Sequence, residues 1–173
     1  MIHTLLSICI FLGYTQTMIK TIILSLCLIG TVLFANEQKE HKHLSYDVSV
    51  SLLKSIHNDA IVLGNGEKLV YVFIDPLCPH SRKFITIVSQ NTMMLSKYQY
   101  HLFLYSIPRL KSTDVVSAVY MSSNPVETLL EIMVEKKLHS ENGDELTKEK
   151  IDRITTVAQK IDVYKRPYIY IIK

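Results

Sequence analysis

Residues 71 to 84 read Tyr71-Val72-Phe73-Ile74-Asp75-Pro76-Leu77-Cys78-Pro79-His80-Ser81-Arg82-Lys83-Phe84. With Leu69 and Val70 ahead of it, the first part is a continuous β-branched and aromatic run, the pattern of a central strand covered on both faces. Asp75-Pro76 halts it. A proline costs nothing in the first turn of a helix, where its missing N–H would be unpaired anyway. Pro79 therefore predicts a helix starting at or just after Cys78, with Phe84, Ile85, Val88, Met93 and Met94 as its apolar positions. Cys78 then stands at the positive end of a helix dipole beside unpaired N–H groups, a location that favours thiolate, and His80 adds to this when protonated. An inert capping residue is the plainer reading of a lone cysteine. The strand-to-helix position and the neighbours of Cys78 weigh against it.

Around this segment the chain alternates. Val48, Leu52, Leu53 and Ile56 fall at helical spacing and predict a lead-in helix ending near Asn58-Asp59. A short apolar run over 60–63 and the turn Gly64-Asn65-Gly66 follow. Downstream, 100–107 predicts a second strand stopped by Pro108, and three helical patterns occupy 115–120, 129–134 and 151–161. Residues 168–172, entered through Arg166-Pro167, predict a third buried strand. Strand, helix, strand, helical insertion and strand make an α/β domain.

The chain has 173 residues, 48% of them hydrophobic and 20% charged, and a net charge of +3. That composition belongs to a globular protein, and its weak, interspersed charge gives no footprint for nucleic acid. Lys20 is the one charged residue before position 36. From Met18, a short cationic start, an apolar run and Ala35 before a polar stretch describe an export signal, with Met18 as the expected true start. The expected organisation is a signal segment over 1–35, a linker helix over 36–65 and the α/β domain over 66–173. The expected location is the periplasm or another exported compartment, with membrane association only if the signal stays uncleaved. Cys9 and Cys27 fall inside the apolar head, so Cys78 alone remains for thiol chemistry, with neither a zinc module nor a disulfide framework.

The segment around Cys78 resembles the active-site segment of periplasmic thiol-disulfide isomerases of the DsbC and DsbG type, within the thioredoxin superfamily. The resemblance continues through residues 102–109 and 117–120 and through Val163-Tyr164-Lys165-Arg166-Pro167-Tyr168-Ile169, where the family has its cis-proline. It implies a thioredoxin-like fold with a helical insertion. It also implies protein thiols and disulfides as substrates, a membrane reductase as a partner, and no cofactor or metal. By the same resemblance Cys78 matches the nucleophile, Pro79 and His80 the residues between the two cysteines, and Pro167 the proline that aligns substrate backbone.

Three departures shape the functional expectation. Ser81 stands where the family has its resolving cysteine, so no internal active-site disulfide can form, and monothiol exchange is what remains. Arg166 replaces an uncharged residue and either faces the sulfur or points to solvent. The sequence ends at Lys173, before the strand and helix with which the family continues, so those two elements are expected to be lacking. The alternatives are a catalytically inactive peptide-binding module and an oxyanion reductase resembling glutaredoxin-linked arsenate reductases, in which Arg82, Arg166 and Arg109 would bind the anion. His41 and His43 read as a polar tail, and His57, His101 and His139 show no ligand spacing. Met93 and Met94 read as packing residues.

Overall fold

The computed structural model describes residues 44–172; the signal segment over 1–35, Met18, His41 and His43 lie outside these residues. The elements run α1 (Tyr46–Ser55), a 3-10 turn (His57–Asp59), β1 (Ile61–Leu63), β2 (Lys68–Ile74), α2 (Pro79–Ser89), α3 (Thr92–Lys97) and β3 (Tyr98–Leu104). A second 3-10 turn (Pro108–Leu110), α4 (Thr113–Met121), α5 (Pro125–Met133), α6 (Glu145–Lys160) and β4 (Tyr168–Ile171) follow.

The sheet order is β1-β3-β2-β4. β2 and β3 are parallel over their whole length, Lys68 opposite Tyr98 through Ile74 opposite Leu104. A parallel pair requires a long crossover, which α2 and α3 supply. β1 lies antiparallel to β3 and β4 antiparallel to β2. β2 is fully covered from Val70 to Ile74, which is why its sequence is apolar without alternation. On one face Val72 and Leu102 are fully buried, and the Phe84 ring of α2 meets Tyr100 edge-on at 6.0 Å. On the other, Tyr71 stacks on Phe103 at 5.8 Å, and α1 sends Tyr46 onto Tyr170 of β4 at 5.9 Å.

Several expectations change. The single helix after Cys78 is two, because Asn91 caps a new one: its side chain accepts the Met94 N–H. Met93 is consequently solvent-exposed and only Met94 packs. The second strand is shifted to Tyr98–Leu104 and ends early, because the Ile107 N–H is taken by Asp75. β4 is not buried: Tyr168 and Tyr170 pack on the core while Ile169 and Ile171 face outward, the alternation of an edge strand. The lead-in segment is integral to the domain, since Leu53 and Ile56 belong to the same core and β1 pairs within the sheet. Gly64, at φ +86, and Gly66 let this turn pass against the α3–β3 junction, where a Cβ on Gly66 would meet the Lys97 carbonyl carbon at 2.1 Å.

Candidate functional site around Cys78

β2 delivers Asp75 to the end of the sheet, and the chain turns at once into α2. Cys78 occupies the N-cap of α2 in extended conformation, and Pro79 opens the first turn. An N-cap is normally filled by a side-chain oxygen that accepts a first-turn N–H. Here no side chain does so. The sulfur instead stands 3.8 Å from the Arg166 carbonyl oxygen, to which the thiol donates. Cys78 is 4% exposed, whereas Pro79 and His80 are exposed. Ser81 is wholly buried, and its hydroxyl oxygen accepts the Asp75 N–H at 3.3 Å.

The loop before β4 forms the facing wall. The Arg166–Pro167 peptide bond is cis. Arg166 follows neither expected course: its guanidinium lies 3.9 Å over the Tyr105 ring and donates to the carbonyls of Tyr105, Val163 and Ser106. Only its main chain meets the sulfur. Arg82 turns back to donate from Nε to the Pro76 carbonyl at 2.7 Å.

Asp75 is the residue that sequence reasoning passed over. It is wholly buried and accepts four hydrogen bonds. Oδ1 takes the N–H groups of Leu77 and Cys78 at 2.8 and 3.1 Å; Oδ2 takes the Ile107 N–H and, at 2.6 Å, the Ser112 hydroxyl. One carboxylate thus ties the Cys78 turn to the loop after β3. Its place three residues before Cys78, at the end of a buried strand, was the available signal, but its partners lie 32 and 37 positions away.

Two of the protein's clefts bear on where the site lies. One of about 550 Å³ opens between the end of α1 and α6, lined by Ile56, Arg153 and Val157 among others, and one of about 320 Å³ borders Tyr105, Ser106 and Pro108. Cys78 lines neither. Among the described residues no cluster of three or more His, Cys, Asp or Glu is arranged to hold a metal.

A mixed sheet with the parallel pair β2–β3 and the antiparallel strand β4, and a cysteine at the start of the helix after β2, define a thioredoxin-like fold. Solved structures match it. ScsC of Proteus mirabilis in a transitional conformation superposes with a TM-score of 0.61 at 11% identity, over 92% of this chain and 86% of that one. DsbG of Helicobacter pylori gives 0.58 at 18% identity, over 73% and 61%. A periplasmic thioredoxin-like protein of Salmonella enterica serovar Typhimurium gives 0.51 at 10% identity, over 75% and 86%. No protein-family model and no curated protein sequence matches the chain.

Proposed function

We propose that the protein is exported and exchanges disulfides with protein substrates through the single thiol of Cys78. The observation that carries the reading is the uncapped first turn of α2, with Cys78 at its N-cap and the Arg166 carbonyl against the sulfur. Once Cys78 loses its proton, the hydrogen bond to that carbonyl is lost and the first-turn N–H groups become the natural partners of the sulfur. The thiolate attacks a substrate disulfide, a Cys78–substrate disulfide forms and one substrate thiolate leaves. A second substrate thiolate then displaces Cys78, so disulfides are rearranged with no net oxidation. Ser81 cannot release a stalled complex, and an external reductant, such as a membrane reductase, would have to do so. Likeness in fold to periplasmic proteins supports the exported location.

The low exposure of Cys78 favours a second reading, a peptide-binding module with a latent thiol. An oxyanion reductase has less support, because Arg82 and Arg166 direct guanidinium N–H groups at main-chain carbonyls.

The test is to incubate the full chain with a disulfide-bonded peptide and resolve the products by non-reducing mass spectrometry. Exchange predicts a peptide adduct at Cys78 that an added thiol removes and that Cys78→Ala lacks. Ser81→Cys should shorten the life of the adduct by supplying a resolving thiol. An adduct formed only in denaturant would leave the binding module.

A further inference from the structure

Three segments converge on Cys78, and their charges are one-sided. They are residues 76–83, 105–112 and 163–167. The Arg166 carbonyl contacts the sulfur, the Arg166 guanidinium donates to Tyr105 and Ser106, and Asp75 joins the Cys78 turn to Ile107 and Ser112. Together they carry Arg82, Lys83, Arg109, Lys111, Lys165 and Arg166 and not one Asp or Glu. Lys83, Arg109, Lys111 and Lys165 are exposed. The carboxylate nearest Cys78 in sequence, Asp75, is buried and fully occupied by its four donors. Asp114, on the first turn of α4, and Asp162, after the end of α6, are the next carboxylates beyond these segments. The remaining described chain carries more acidic than basic residues. The basic loops therefore form a local field set against a remainder of opposite sign.

We infer that this rim makes acidic polypeptide segments the preferred disulfide partners of Cys78. The inference rests on the exchange reading above and names its substrate class. The Arg82 and Arg166 guanidinium groups are held in place by main-chain carbonyls of the segments that flank Cys78. The exposed side chains reach outward and raise the local concentration of an anionic segment before the covalent step.

The test uses three synthetic peptides, each with one central cysteine carried as its 2-thiopyridyl disulfide and flanked by Glu, Gln or Lys. Attack by Cys78 forms the Cys78–peptide disulfide and releases pyridine-2-thione, which is followed by absorbance. For the full chain at low ionic strength, the Glu peptide should react roughly tenfold faster than the Gln peptide, and the Lys peptide slowest. The ranking should collapse near 1 M salt, where the screening length falls to about 3 Å. Arg109→Glu combined with Lys165→Glu should narrow or reverse the ranking by a factor larger than any change in its rate with uncharged 2,2′-dipyridyl disulfide. Equal peptide rates at low salt, with normal reaction of the small disulfide, would overturn the acidic preference and leave exchange standing. No reaction of Cys78 with the peptides or the small disulfide would overturn exchange and the preference together.

Discussion

At the scale of single residues, Asp75 carries the largest electrostatic commitment near Cys78. Its two oxygens accept from Leu77, Cys78, Ile107 and Ser112 in a site with no solvent access. Removing the carboxylate leaves the Leu77 and Ile107 N–H groups without their partner and takes one of two partners from the Cys78 N–H and the Ser112 hydroxyl, and each lost bond costs about 1–3 kcal/mol. Asp75→Ala should therefore lower the unfolding free energy by on the order of 3 kcal/mol or more, measured by urea denaturation. Ser112→Ala removes the hydroxyl that donates to Asp75 and also meets the Ser106 hydroxyl, and should cost about 1–2 kcal/mol, less than Asp75→Ala. An Asp75→Ala midpoint equal to that of the wild type would contradict the account of the clamp. Cys78, Pro79, His80 and Ser81 were legible in the sequence because they are consecutive and their chemistry is local. The clamp was not, because a carboxylate ahead of a proline reads as a turn residue until the fold brings its distant donors to it. Arg166 shows the same limit: its position was legible, but Tyr105, which receives its guanidinium, is 61 residues away.

At the scale of elements, the 3-10 turn after α1 rests on the sheet through two histidines. His57 and His101 have ring centroids 4.2 Å apart, and His57 Nδ1 lies 2.9 Å from the Tyr71 hydroxyl. His101 Nε2 meets Gln99, whereas its Nδ1 is buried with no hydrogen-bond partner. Burial, and secondarily the neighbouring His57, hold His101 below the ordinary histidine range, although the nearby His57 main chain opposes this. His101 is then neutral in the folded protein and takes up a proton more readily when unfolded. Its contribution to stability is complete above about pH 6.5 and declines as pH falls from there towards its lowered folded value. Denaturation midpoints should drop between pH 7.5 and pH 5, and His101→Phe should flatten that drop. An equal drop in the variant would assign the pH dependence to other groups. Nothing in the spacing of His57 and His101 along the chain announced this pair; the pairing of Tyr71 with His101 across β2 and β3 creates it. The strands show a similar division. β2 was legible because burial on both faces leaves an uninterrupted apolar run. β4 was overread as buried because its outward residues, Ile169 and Ile171, are as apolar as buried ones.

At the scale of the whole described domain, the fold class followed from the order of strand and helix patterns, while the site required three separate segments to meet. Only the one at residues 76–83 declared its chemistry in its own residues. The walls at 105–112 and 163–167 carry no such signature in their own residues, and it is the fold that ties both to the Cys78 turn. The asymmetry between a basic rim and an otherwise acidic domain predicts salt-sensitive exchange with charged substrates and salt-insensitive exchange with neutral ones.

The proposed exchange requires the folded protein to present Cys78 as a nucleophile despite its 4% exposure. The most direct measurement is the intact mass of the native full chain after brief exposure to a peptide disulfide, with Cys78→Ala as the blank that retains Cys9 and Cys27. Exchange through Cys78 predicts a peptide adduct on Cys78 without denaturant, one adduct more than the blank shows, reversed by a second thiol. No adduct on the native chain, with full labelling of Cys78 after denaturation, would contradict it.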